Sequence, residues 1–248
     1  MSTIEPILLT TAHIKAFLGE KPLTNASGFY FERDQRLFLV TSKHVFIDEP
    51  NNHLPDRIEI ELHTDADNFA DSRSFSIPLY KGGKSDWRQG KDKSGEIDVA
   101  AIELDRSALP ATMVYRAFTP HHLDRLDRVE VGTPLLVVGY PLSFHDTLHH
   151  MPVARQAIIA SSFGLRFQGE GFFLTDARTH RGTSGAPVVA RITDPDRRLG
   201  DLPWRLLGVH SARFDIGTRD LELDEALGLN CAWYADILLT LTDSRRPS

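Results

Sequence analysis

Three polar residues, His44, Asp98 and Ser184, are of the types that together can carry out acyl transfer. Residues 182–187 read Gly-Thr-Ser-Gly-Ala-Pro, so glycines stand close to Ser184 on both sides. Glycines allow a tight turn that aims backbone amides at one point, where they can stabilise a developing oxyanion. A serine hydroxyl is a weak nucleophile at neutral pH and needs a neighbouring base. We therefore interpret Ser184 as a candidate nucleophile.

His44 and Asp98 are the candidates for the base and for the group that orients it. His44 follows an apolar run at 37–40, and Asp98 opens the apolar run 99–102. The ordinary pKa of an imidazole suits proton acceptance near neutrality. A carboxylate beside the ring fixes one tautomer and offsets the positive charge that forms. The order His, Asp, Ser along the chain differs from the two other known triad orders, Asp-His-Ser and Ser-Asp-His. The last of these also requires a Gly-x-Ser-x-Gly pattern, which Ala186 breaks.

Three motifs resemble those of the trypsin-like, chymotrypsin-fold serine peptidases in their compact bacterial form. They are Leu-Val-Thr-Ser-Lys-His-Val at 39–45, the segment 97–104 and the segment 175–187. The resemblance implies His44 as general base, Asp98 as its orienting carboxylate and Ser184 as nucleophile. It also implies an oxyanion hole made by the backbone amides of Gly182 and Ser184, a protein or peptide substrate, and no cofactor.

Alternating apolar and polar residues, such as those at 57–62, predict an all-β chain. The resemblance implies two antiparallel six-stranded β-barrels with the active site in the cleft between them. Residues 1–118 would form the N-terminal barrel, with His44 and Asp98, and residues 119–248 the C-terminal barrel, with Ser184. We also predict a hairpin turn at 33–36, a mobile loop at 81–95 and a short helix at about 235–241.

The substrate pocket is predicted from residues that flank the nucleophile in the family. Thr179 and His210 are similar to the pair that holds a substrate carboxylate in glutamyl endopeptidases, which implies cleavage after acidic residues. Arg178 and Arg213 would add positive potential, and Ser211 takes the position of a serine near the triad carboxylate. The alternative is that His210 only fills the pocket wall.

Composition restricts the remaining function classes. A formal net charge of -6 argues against an electrostatic nucleic-acid partner, and no apolar run is long enough to cross a membrane. Cys231 is the one cysteine, which excludes an internal disulfide. Because the first residues do not resemble an export signal, we expect a cytoplasmic protein. The sequence does not predict an oligomeric state.

Two functions remain open at this point. The first is a serine endopeptidase, with an esterase as a lesser variant of the same chemistry, and the second is a binding or regulatory module of the same fold without turnover. A group of polar residues at 145–150, containing His145, Asp146, His149 and His150, is interpreted as a solvated loop beside the cleft, so no metal site is predicted; zinc binding is the alternative.

Overall fold

The computed structural model describes residues 4–93, 95–123, 129–192, 202–211 and 228–244. Within these ranges two short α-helices occur, α1 at Lys43–Phe46 and α2 at Ile237–Leu241. None of the described helices is long and apolar enough to span a membrane. The strands are β1 Thr11–Leu18, β2 Lys21–Arg33, β3 Arg36–Thr41, β4 Arg57–His63, β5 Ser72–Pro78, β6 Tyr80–Lys81, β7 Lys84–Ser85, β8 Trp87–Asp92, β9 Gly95–Leu104, β10 Pro134–Gly139, β11 Val153–Ile158, β12 Phe172–Thr175, β13 Pro187–Arg191, β14 Trp204–Ser211 and β15 Asn230–Tyr234.

The strands form two large antiparallel sheets, which confirms the all-β prediction. The first has the order β5-β4-β1-β2-β3-β9-β8, the second has the order β11-β10-β13-β14-β15-β12, and β6 and β7 pair separately. Two six-stranded barrels are not confirmed, because the first sheet has seven strands and neither series of described pairings returns to its first strand. The predicted boundary at 118/119 lies between the two sheets and stays a prediction.

A shared apolar cluster joins the two sheets. Phe29 on β2 and Val99 on β9 pack in the same buried cluster as Val189 on β13 and Val209 on β14. Burying a side chain of this size stabilises the fold by roughly 1.5–3 kcal/mol relative to leaving it exposed. The cluster therefore holds the ends of β3, β9 and β14 in a fixed relation; His44 follows β3, Asp98 lies near the start of β9, and Ser184 precedes β13, the partner of β14.

Two local predictions are confirmed and one is wrong. Arg33 pairs with Arg36 across a two-residue turn with positive φ at both positions, and the helix predicted at about 235–241 is α2. The predicted mobile loop at 81–95 instead contains β8, in which Trp87 pairs with Ile102 on β9. Its Gly90 lies so close to α2 that a Cβ there would stand 2.8 Å from Ile237. Polar composition predicted a loop, but long-range strand pairing and helix packing order this segment.

Candidate active site

The Asp98 carboxylate binds His44 at two places. Its Oδ1 accepts a hydrogen bond from the His44 backbone N–H at 2.9 Å, and its Oδ2 lies 2.7 Å from His44 Nδ1. The contact arises because β3 pairs with β9, which places α1 beside the start of β9. An ionised carboxylate only accepts hydrogen bonds, so Nδ1 carries the proton and Nε2 keeps its lone pair. Nε2 is therefore the ring atom able to accept a proton.

A third donor reaches the same carboxylate from the second sheet. Ser211 Oγ, at the end of β14, donates to Asp98 Oδ2 at 2.9 Å. The structure thus places Ser211 beside Asp98, where the family resemblance expected a serine. Three hydrogen bonds fix the orientation of the Asp98 carboxylate, although the His44 and Asp98 side chains are still 18% and 21% exposed.

The two glycines near Ser184 are required by close backbone contacts. Gly182 and Gly185 have φ of +92° and +85°, in the left-handed region that favours glycine. A Cβ on Gly185 would stand 2.1 Å from Thr41 Oγ1, and one on Gly182 would stand 2.6 Å from the Tyr140 carbonyl oxygen. The first contact packs the Ser184 loop against the end of β3, directly before α1.

Ser184 and His44 are brought to the same region but are not hydrogen-bonded to each other. The loop is held there by the Gly185 amide, which donates to the His210 carbonyl at 2.8 Å, and Ser42 Oγ donates to that same carbonyl at 3.2 Å. No bond between Ser184 Oγ and the His44 ring occurs among the described residues. Catalytic hydrogen bonds are often long without substrate and tighten when it binds.

Every carbonyl from residue 181 to residue 184 accepts a hydrogen bond. The donors lie in three separate segments of the chain. They are Leu142 N to Arg181 O (2.6 Å), Ser27 Oγ to Gly182 O (2.8 Å), Ala186 N to Thr183 O (3.0 Å) and Ser27 N to Ser184 O (3.0 Å).

Two amides of the same loop are left for a ligand. The Thr183 amide donates to the His180 carbonyl at 3.1 Å, but the amides of Gly182 and Ser184 donate to no acceptor within the described part of the chain. The carbonyl and amide of a trans peptide point in opposite directions. Holding the Arg181 and Thr183 carbonyls therefore aims the Gly182 and Ser184 amides away from the protein contacts, as an oxyanion hole requires.

Thr179 and His210, two of the predicted pocket residues, belong to one hydrogen-bonded relay. His210 Nε2 lies 2.9 Å from Thr179 Oγ1, which lies 2.9 Å from Asn230 Oδ1, and Asn230 Nδ2 donates to the Ala177 carbonyl. Because Nδ2 must face that carbonyl, Oδ1 faces Thr179 and accepts its hydroxyl proton. Thr179 consequently accepts from His210 Nε2–H, and His210 Nδ1 carries no proton.

His210 is held in its neutral form. Its side chain is completely buried, and Nδ1 has no hydrogen-bond partner within the described residues. Burial and, to a smaller extent, the nearby His44 together lower the pKa of His210 from 6.5 to about 3. The ring therefore offers one donor, Nε2–H, and no positive charge in the resting pocket.

The remaining pocket predictions have different outcomes. Arg178 is exposed, so water screens its charge, and Arg213 lies outside the described residues. Asn230 was missed by sequence reasoning, although it ends the relay. Asn230 belongs to none of the sequence motifs and is separated from Thr179 by 51 positions. Only the pairing of β12, β14 and β15 brings the two residues together.

The histidine-rich segment does not form a metal site in the structure. His149 Nδ1 contacts Asp146 Oδ2 at 2.7 Å, but no group of three or more His, Cys, Asp or Glu side chains in the described ranges is placed to hold a metal ion. His145 instead lies 5.2 Å from the ring of buried His13, which stacks on Tyr140 at 4.7 Å. The pKa of His13 is lowered from 6.5 to about 4, first by burial and then by the nearby His145, Lys15 and His150.

We expect acid to destabilise the fold through His13 and His210. Both have folded-state pKa values below the ordinary 6.5, so the unfolded chain binds more protons as pH falls below that value. Stability present above pH 6.5 is then lost on acidification by about 1.4 kcal/mol per pH unit for each histidine. Urea unfolding at pH 7.5 and 5.0 measures this difference.

The matched variant for this effect is His13→Phe, which keeps an aromatic ring on Tyr140. Its unfolding free energy should depend less on pH than that of the wild type. The exposed His180, changed to Gln, serves as the control and should leave the pH dependence as it is. An unaltered pH dependence in His13→Phe would show that His13 titrates normally.

Comparison with known proteins matches one family domain over most of the chain. The family model described as trypsin-like peptidase domain matches residues 26–193, a range that contains His44, Asp98 and Ser184. Among curated proteins, the chain is similar to the serine protease HTRA2, mitochondrial, of several fruit flies. It is 23% identical to that of Drosophila pseudoobscura pseudoobscura and 22% identical to those of D. willistoni and D. virilis.

These similarities cover most of this chain but a minor part of the relatives. Each alignment extends over 207 residues and 84% of the chain. The same alignments cover 38% of the first two relatives and 39% of the third. The chain therefore spans about two fifths of the length of the curated relatives it matches.

Proposed function

Because this chain belongs to the trypsin-like peptidase family, we propose that it is a serine endopeptidase acting through Ser184, His44 and Asp98. The observation that carries the proposal is that the Asp98 carboxylate is hydrogen-bonded to both the backbone N–H and Nδ1 of His44. This arrangement leaves Nε2 as the proton acceptor of the imidazole. The relatives named as serine proteases support the same activity.

The proposed reaction has two acyl-transfer steps. Ser184 Oγ attacks the substrate carbonyl carbon while its proton passes to His44 Nε2. The negative carbonyl oxygen is bound by the amides of Gly182 and Ser184. His44 then gives the proton to the leaving amine as the peptide bond breaks, and water, activated by the same ring, hydrolyses the acyl-enzyme. Throughout, Asp98 stays ionised and stabilises the imidazolium.

A fluorophosphonate probe tests this assignment on the wild-type protein. The probe phosphonylates an activated serine, and mass spectrometry of the digested protein locates the adduct. We expect the adduct on Ser184, together with cleavage of a peptide library. A folded wild type that neither takes up the probe nor cleaves peptides would favour the binding-module alternative, for which the missing Ser184–His44 hydrogen bond is the supporting observation.

We further propose that the enzyme prefers an acidic side chain at the residue before the cut. An ionised carboxylate leaves water only where donors replace its hydration. The Thr179 hydroxyl and His210 Nε2–H become such donors when the carboxylate replaces their present acceptors in the relay, Asn230 Oδ1 and Thr179 Oγ1. A bound carboxylate would also favour the protonated form of His210, opposing the effect of burial.

His210→Ala should lower kcat/KM for a Glu substrate by about a hundredfold, the effect of losing one charge-assisted hydrogen bond of about 2–3 kcal/mol. Matched substrates with Leu and Gln at the same position are the control, and we expect their kcat/KM to change little. Thermal unfolding of the variant checks that its core is intact. A wild type preferring Arg, Lys or Leu would refute the acidic preference and leave the serine peptidase assignment in place.

The proposal includes a reducing compartment, the cytoplasm. Its support is that Cys231 is the one cysteine of the sequence and is buried, so no internal disulfide forms within it. Protein substrates are proposed on the basis of the family. Fractionation of cells with an antibody to the protein tests the location.

A further inference from the structure

Ser27 is a completely buried residue of β2 that is hydrogen-bonded to the nucleophile loop through two of its atoms, Oγ and N. Its hydroxyl donates to the Gly182 carbonyl at 2.8 Å and accepts from the Tyr140 amide at 2.9 Å. Its amide donates to the Ser184 carbonyl at 3.0 Å, and its carbonyl accepts from Thr41 Oγ1 at 2.7 Å. Ser27 thus connects the first sheet, the turn after β10 and the loop that carries the nucleophile.

We propose that Ser27 is a positioning residue whose hydroxyl keeps the oxyanion hole open. It holds the peptide between Gly182 and Thr183 with its carbonyl turned into the protein. The amide of that peptide points the opposite way, to the His180 carbonyl. The inference deepens the proposed function and rests on it.

The hydroxyl is needed because the loop has little conformational preference of its own at this point. Gly182 has no Cβ and reaches backbone conformations on both sides of φ = 0. Without Ser27 Oγ, the Gly182 carbonyl would be buried with no donor, which is costly, and the next free donor along the chain is the Ser184 amide. A bond to that amide would remove one of the two donors that the oxyanion requires.

Ser27→Ala separates this role from general stabilisation of the fold. The variant keeps the backbone bonds from Ser27 N and to Ser27 O and loses only the two hydroxyl bonds. We expect kcat to fall about a hundredfold, the scale of losing one oxyanion-hole donor, while KM stays within about threefold. The preference for an ester over its thionoester should also fall, because the sulfur analogue depends less on hydrogen bonds to the developing anion.

Thr242→Val is the matched control. Thr242 is also completely buried, and its hydroxyl donates to the Leu238 carbonyl at 2.7 Å. Both residues are distant in sequence from the candidate site residues. This variant should lose stability while keeping the wild-type kcat and the wild-type preference for the ester. A purely structural role of Ser27 predicts the same pattern for Ser27→Ala.

A second variant covers the case in which Ser27→Ala does not fold. Ser27→Cys has nearly the same shape and a much weaker hydrogen-bonding group, so its kcat should also fall, by less than in Ser27→Ala. If the wild type is active and the variant that folds keeps the wild-type kcat and ester preference, the positioning role is overturned. The proposed function is not affected by that result. A wild type that neither hydrolyses peptides nor takes up a fluorophosphonate overturns the proposed function and this inference with it.

Discussion

Ser184→Ala should lower kcat by about a millionfold and abolish labelling by a fluorophosphonate. The substitution removes the atom that forms the acyl-enzyme, so His44 has no hydroxyl to deprotonate. The remaining amides of residues 182 and 184 can still polarise a substrate carbonyl, which leaves a small rate above that in water. Burst kinetics with an activated ester and mass spectrometry of the labelled protein provide the two measurements.

Thr183→Val is the matched control for this experiment. Thr183 is the neighbouring residue, is buried, and carries a hydroxyl with no partner in the described part of the chain. Valine has nearly the same shape, so the variant should keep its labelling and its kcat within a few-fold of the wild type. Wild-type hydrolysis in Ser184→Ala, or an adduct on another residue, would exclude Ser184 as the nucleophile.

Asp98→Asn should slow turnover by about ten-thousandfold with the fold intact. The amide oxygen of the new side chain can still accept from the His44 backbone N–H. Its NH₂ group then faces His44 Nδ1 and donates to it. The ring is forced to carry its proton on Nε2, where it cannot take the proton of Ser184.

Glu96→Gln tests whether any carboxylate near α1 would produce the same loss. Glu96 lies on the same strand, is largely exposed and pairs with Lys43, the residue before His44. Exposed pairs of this kind contribute about 0–1 kcal/mol, so kcat should remain within about twofold of the wild type. A mild effect of Asp98→Asn would show that another group orients His44.

The sequence by itself determined the types and order of the candidate reacting groups. Ser184 between glycines, and His44 and Asp98 each beside an apolar run, are local patterns, and local patterns can be found without knowing the fold. The alternating strands were predictable for the same reason, since side-chain alternation depends only on the next few residues.

Only the tertiary structure decided how these groups are held. The strand β8 in a polar segment, the Asn230 relay and the burial that keeps His210 neutral all depend on strand pairing between distant parts of the chain. The same is true of the Ser27 hydroxyl, which reaches Gly182 across 155 positions. Hydrogen bonds and desolvation of this kind depend on distance in space, and spacing along the chain does not encode that distance.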